Sequence, residues 1–176
     1  MIGAPLPGSL VPHVRTRRLL LREPRLTDFS AFAANAEDPE AWPIDRDRVT
    51  STREAWRRFH AAAGSWLLHG MGWWIVEANE LGGVGVVGVF RRETGPDIEM
   101  GWSIYRRHWN KGFASEAARA ALDFAVETLA ADRVIAYVAK ENRASMRVAT
   151  KIGMLFQGEA AFYGDPSSLY VFERRT

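Results

Sequence analysis

The sequence predicts an α/β (α+β) fold with a mixed, mostly antiparallel central sheet flanked by helices. Three features point there. Strand-like runs follow one another through the middle of the chain with short turns between them, helical stripes stand before and after that block, and the later helices alternate with strands. An apolar fraction of 47% and a charged fraction of 25% are those of a folded globular chain. The 176 residues are about the length of one domain. We expect a loose tail rich in Pro and Gly over residues 1–13 and a single domain over residues 14–176.

Arg18 to Arg22 (R-L-L-L-R) reads as a short strand, after which Thr27 and Asp28 are placed to cap a helix through Phe29, Phe32 and Ala33. Pro39 and Pro43 mark a loop. Thr50 to Leu68 carries Ala55, Trp56, Phe59, Ala62, Ala63 and Trp66 at helical spacing, with Ser51 and Thr52 as caps, and Gly70 to Gly72 breaks it. Trp73 to Ala78, Val84 to Arg91 and Asp97 to Tyr105 form an antiparallel meander. From Ala114 the stripe Ala117, Ala118, Ala121, Leu122, Ala125, Val126 and Leu129 is helical. Val134 to Ala139 is a strand, Asn142 to Ile152 a helix ended by Gly153, and Phe156 to Phe162 and Leu169 to Glu173 are closing strands.

The chain has no cysteine, which excludes disulfides, a thiolate zinc site and a cysteine nucleophile and suits a reducing compartment. A formal charge of +2 with scattered arginines gives no footprint for nucleic acid. Met1 to His13 lacks the charged start and apolar core of a secretory signal, and the uncharged stretch Phe59 to Val76 is interrupted by His60, Gly64, His69, Gly70 and Gly72. We expect a cytoplasmic protein with no bound metal, no membrane partner and no nucleic-acid partner. The oligomeric state stays open, a homodimer included.

Gly83, Gly85 and Gly88 have the spacing of a dinucleotide fingerprint, but no helix follows them, so they belong to a bent or closely packed strand. Trp109-Asn110-Lys111-Gly112-Phe113-Ala114-Ser115-Glu116-Ala117 is different, because it follows a strand and opens the long helix. The first turn of a helix leaves amide N–H groups unpaired at the positive end of the dipole. Gly112 and Ala114 keep the backbone approachable, and Lys111, Arg106 and Arg107 add positive charge. A pyrophosphate suits such a turn; an unliganded tight turn is the other reading of the same residues.

Read together, the strand Ile98 to Ile104, this turn and E-N-R-A-S-M-R-V-A-T-K-I-G-M at 141–154 resemble the GNAT superfamily of N-acetyltransferases. The R-L-L-L-R opening resembles its RimJ/RimL-like branch, and the resemblance runs from about Thr16 to Arg174. It implies acetyl-CoA as cosubstrate, held in a cleft between splayed central strands. The backbone of Lys111, Gly112, Phe113, Ala114 and Ser115 would hold its pyrophosphate, Trp102, Ser103 and Ile104 would run beside the pantetheine, and Asn142 and Ser145 would face it. Trp109 replaces the Gln or Arg that usually begins the turn, as is frequent in this branch.

Acetyl transfer to an amine requires a group that takes a proton, since most amines are protonated near neutral pH. Glu99 lies on the strand expected to line the acetyl group and is the candidate general base, favoured further by burial. The competing reading is a strand charge paired with Arg91 or Arg92. A backbone N–H at the strand opening would serve the acetyl oxygen. The tyrosine that many relatives place seven positions after the motif asparagine is Ala149 here. Ser145 is the candidate to meet the departing sulfur, although Asn142 and Ser145 are also typical helix caps. Tyr163 and Tyr170 are further acids, and Trp42, beside Asp45 and Asp47, is placed to meet the amine acceptor. That acceptor is a protein N-terminus or a small amine, and the glycine-rich strand Leu81 to Phe90 leaves acyl length open. The alternative is a non-catalytic acyl-CoA-binding module of the same fold.

Overall fold

The computed structural model describes residues 2–3, 10–41, 49, 51–93 and 95–174; Trp42, Asp45 and Asp47 lie outside the described residues. Strands β1 (Ile2–Gly3), β2 (His13–Arg15) and β3 (Leu19–Arg22) precede helices α1 (Phe29–Glu37) and α2 (Thr52–His69). The meander is β4 (Trp73–Ala78), β5 (Gly82–Arg91) and β6 (Ile98–Ile104). Then come α3 (Phe113–Glu127), β7 (Arg133–Ala139), α4 (Arg143–Lys151), β8 (Leu155–Phe162) and β9 (Asp165–Glu173). All nine strands form one sheet in the order β1-β2-β3-β4-β5-β6-β7-β9-β8. Every neighbouring pair is antiparallel except β6 and β7.

The helices follow their apolar stripes. α3 lays Ala117, Ala118, Ala121, Leu122 and Ala125, all fully or almost fully buried, onto β5 and β6, and the small alanines let the helix approach the sheet closely. The main core lies on this face of the sheet, with Val84, Val87, Met100, Val134, Ala136 and Val138 beneath the helix. A smaller cluster of Ala33, Ala36, Val49 and Ala55 joins α1 to α2. Ser51 Oγ caps α2 by accepting the Glu54 N–H, and Gly70 ends it in the left-handed region at φ 64°.

Two expectations change. The segment read as a tail through His13 is packed at its end, because Val11 and His13 are buried and Trp74 Nε1 donates to the Pro12 carbonyl at 2.8 Å. β1 and β2 are two and three residues long, too short for any alternation to show. Asp28 does not cap α1 with its side chain. It takes the buried Arg22 guanidinium in a two-point pair at 2.8 Å, and Arg22 Nε donates to Glu77 at 2.6 Å. A buried arginine without such partners would cost several kcal/mol, roughly 3–5 when one partner is lost.

The feature that positions the site is the β6–β7 junction. These parallel strands meet at Ile98 with Val134 and Glu99 with Ile135, and among the described residues the ladder goes no further. β6 stays paired to β5 as far as Ile104, and β7 stays paired to β9 as far as Ala139. The sheet therefore splits past Glu99, and each limb turns a row of peptide groups toward the gap. α3 and α4 both begin at the open end, each after the strand that borders the gap.

Candidate active site

The turn into α3 is shaped by two left-handed residues, Asn110 at φ 60° and Gly112 at φ 77°. Asparagine tolerates that region and glycine enters it without strain. Gly112 is the N-cap and no side chain caps the helix, so the first-turn N–H groups of Phe113, Ala114 and Ser115 point out of the helix end unclaimed by a cap. Trp109 anchors the turn, its Nε1 donating to the Ile104 carbonyl at the end of β6 at 2.6 Å. Lys111 is exposed, whereas Arg106 is already paired with Asp38 at 2.6 Å and Glu40 at 2.9 Å. Its charge belongs to the end of α1 and adds less to the turn than the sequence suggested. Arg107 Nε donates to His108 Nε2 at 2.8 Å; burial, with Arg107 and Lys111 nearby, holds His108 below its ordinary range.

Sequence reasoning missed what braces this turn. Arg18, just before β3, donates through Nε to Glu116 Oε2 at 2.7 Å and through a terminal nitrogen to the Lys111 carbonyl at 2.9 Å, and it lies over the Phe113 ring at 5.0 Å. Thr16 Oγ1 and the Arg18 N–H both donate to Glu116 Oε1, at 2.6 and 2.9 Å. Burial alone would raise the Glu116 carboxyl, but these hydrogen bonds outweigh it and hold the group below its ordinary range. An acid in the first turn also suits the helix dipole. Nothing in a linear pattern pairs Arg18 with a residue so distant in the chain.

β6 presents different residues to its two faces. Ile98, Met100 and Ile104 enter the core under α3 with Trp102 packed against it, while Ser103 meets Asn35 Nδ2 of α1 at 3.4 Å on the other face. Trp102, Ser103 and Ile104 thus all lie on the limb bordering the gap, on alternating sides. Trp73 covers Gly88 and Gly101: a Cβ on either would come within 2.7 or 2.8 Å of its indole. A Cβ on Gly85 would lie 2.5 Å from the Ser103 carbonyl. All three fingerprint-like glycines are strand residues, Gly85 and Gly88 made small by close packing and Gly83 with ordinary contacts at 3.4 and 3.5 Å, and the space above Gly88 and Gly101 belongs to Trp73.

Glu99 sits at the point where β6 and β7 part, on the face opposite α3, and is 6% exposed. Both its oxygens accept from Arg92, Oε2 from Nε at 2.5 Å and Oε1 from a terminal nitrogen at 2.8 Å. Burial and the pairing with Arg92 thus occur together. Asn142 Oδ1 accepts the Ser145 N–H at 3.0 Å, so Asn142 caps α4 as its type suggests, and this places the Ser145 hydroxyl in the first turn of the helix at the open end of the gap. Ala149 is fully buried in the main core. Tyr170 is a core residue, while Tyr163 is 60% exposed beside Arg92.

Residues 18–155 match the family described as the acetyltransferase (GNAT) domain. The chain belongs to the GNAT acetyltransferase family. It is similar to YkkB of Bacillus subtilis (strain 168), 34% identical over 58% of this chain and 61% of that protein. It is also similar to the uncharacterized N-acetyltransferase YnaD of the same organism, 28% identical over 83% of this chain and 84% of the relative. An acetyltransferase from Agrobacterium tumefaciens str. C58 superposes with a TM-score of 0.84 at 29% identity, covering 93% of this chain and 95% of that one. RimL, a ribosomal L7/L12 alpha-N-protein acetyltransferase solved with coenzyme A, shares the fold with a TM-score of 0.74 at 18% identity, over 92% of this chain and 97% of its own.

The GNAT chain is thus an acyltransferase, and its cosubstrate is acetyl-CoA. The residues present fit that molecule: an uncapped helix N-terminus suits a pyrophosphate, and a gap edged by unpaired strand peptides suits a chain containing amides. Among the described residues no helix is long and apolar enough to cross a membrane.

Proposed function

We propose that this GNAT chain, through a single domain, moves the acetyl group of acetyl-CoA onto a primary amine, with Glu99 as general base. The observation that carries the reading is the position of Glu99: a buried carboxylate where the sheet splits, facing away from α3. In this reading the backbone of Lys111, Gly112, Phe113, Ala114 and Ser115 holds the pyrophosphate, Trp102, Ser103, Ile104 and Asn142 flank the pantetheine, and the amine approaches over Glu99 from the α1 side.

Acetyl-CoA supplies an activated acyl group; the chain must free the amine lone pair and favour charge on the acyl oxygen. Each Glu99 oxygen keeps a lone pair beyond the one given to Arg92, so the carboxylate can take a proton from the amine directly or through one water. A β6 peptide N–H past Glu99, released from pairing with β7, serves the acyl oxygen. The Ser145 hydroxyl at the open end donates a hydrogen bond to the departing sulfur. Trp73, Phe90 and Tyr137 border the approach, and such rings favour a cation. The acceptor class is a protein N-terminus or a small-molecule amine.

Glu99→Gln is expected to lower kcat roughly a hundred- to ten-thousand-fold while leaving coenzyme A affinity within a factor of about two. The measurement is thiol release with a panel of amines, alongside a calorimetric titration of coenzyme A. The second reading, an acyl-CoA-binding module without catalysis, is favoured by the engagement of both Glu99 oxygens by Arg92 and by the absence of a hydroxyl at Ala149. Tight coenzyme A binding with no thiol release across the panel would establish it instead.

A further inference from the structure

We infer that Arg92 is the positioning residue for Glu99, holding its carboxylate in one orientation at the split, and that the β8–β9 hairpin holds Arg92 in turn. The inference rests on the reading of Glu99 as the base. Arg92 leaves the end of β5 and grips both Glu99 oxygens with a planar fork, the arrangement that fixes a carboxylate in orientation as well as in charge.

The guanidinium is enclosed by rings from both limbs of the sheet. It lies over Phe90 of β5 at 5.1 Å, over Phe162 at the end of β8 at 4.6 Å and over Tyr163 of the hairpin at 5.2 Å. It also donates to Tyr163 Oη at 3.1 Å. β5 and the hairpin are separated in the sheet by β6 and β7, so this one side chain spans the split on the face opposite α3. Phe162 packs in turn on Tyr137 of β7 at 5.0 Å, which ties the enclosure to the second limb. A surface ion pair needs none of this. Three aromatic contacts and a hydroxyl on the far side restrain the guanidinium and partly desolvate it, which strengthens its hold on Glu99.

The charged and titratable groups about the pair are few. Tyr163 and Glu93 meet each other at 3.4 Å on the solvent side, and Asp97, the residue before β6, pairs with Arg133, leaving Arg92 as the cation in contact with Glu99 among the described residues. Burial opposes the charge on Arg92, but its hydrogen bonds to Glu99 and Tyr163 outweigh that and raise its pKa.

The test reads how the Glu99 carboxylate is held without needing the acceptor. Infrared difference spectra, wild type against Glu99→Gln, isolate the Glu99 carboxylate stretches, whose splitting reports the two-point hold, and the spectra are repeated in Arg92→Met, Arg92→Lys and Tyr163→Phe. Arg92→Met should change that splitting most, Arg92→Lys less because a point charge replaces the fork, and Tyr163→Phe least. With an alanine-initiated peptide and spermidine as amine probes, kcat should fall in the same order, by up to roughly a hundredfold, while coenzyme A affinity stays constant. Should Arg92→Met fail to fold, Arg92→Lys carries the test. Glu99 carboxylate stretches unchanged in the Arg92 variants would overturn the inference while leaving the base reading intact. Full activity of Glu99→Gln would remove both.

Discussion

Glu116 and Arg18 join the approach to β3 to the first turn of α3, so the stability of the turn into α3 depends on one ionisation. The folded protein keeps Glu116 charged at pH values where the unfolded chain, titrating near 4.5, takes up a proton. That difference stabilises the fold above about pH 4.5 and is lost as the pH falls through the lower folded value. Glu116→Gln is therefore predicted to lower the unfolding temperature at pH 7, with the gap to wild type closing below pH 4.5. Thermal unfolding across that range checks it, and a gap that ignores pH would assign the loss to packing. Single residues were unevenly legible. The strand position of Glu99 and its competing partner Arg92 were both readable, since hairpin neighbours are near in sequence. Arg18 with Glu116 was not, because only the folded sheet brings those segments together.

Elements were legible where they are long and striped. α2 and α3 match their apolar periodicity, and β4 begins and ends at Trp73 and Ala78 as the pattern indicated. β1 and β2 were missed because two or three residues show no period. The glycines of β5 and β6 give this scale its test. A Cβ on Gly101 meets only the rim of the Trp73 ring, at 2.8 Å from Cη2, whereas one on Gly88 meets both the base of the indole at 2.7 Å and the Gly72 carbonyl at 2.9 Å. Gly101→Ala is predicted to cost about 1–3 kcal/mol and to be largely relieved in combination with Trp73→Leu. Gly88→Ala should cost more and be relieved only in part, because the carbonyl cannot move without the strand. Denaturant unfolding of the two double-mutant cycles measures the coupling directly.

At the scale of the whole molecule, the split between β6 and β7 opens a gap in an otherwise continuous sheet. Two register pairs join the limbs through the backbone at the closed end, and α3 and α4 open at the other. No periodicity in the sequence announces that split. It was legible only through the resemblance, because the strands look alike whether or not they pair along their whole length. The claim on which the rest depends is that the first turn of α3 holds the cosubstrate's pyrophosphate. Ser115→Glu tests it most directly, because a carboxylate in that turn suits the helix dipole yet repels phosphate. In thermal unfolding at about a hundred times the dissociation constant, coenzyme A should stabilise the wild type by about 2.7 kcal/mol, roughly 5–10 °C for a chain of this size. Ser115→Glu should unfold at or above the wild-type temperature without ligand and show no shift with it. An equal shift in both proteins, or none in the wild type, would contradict the account.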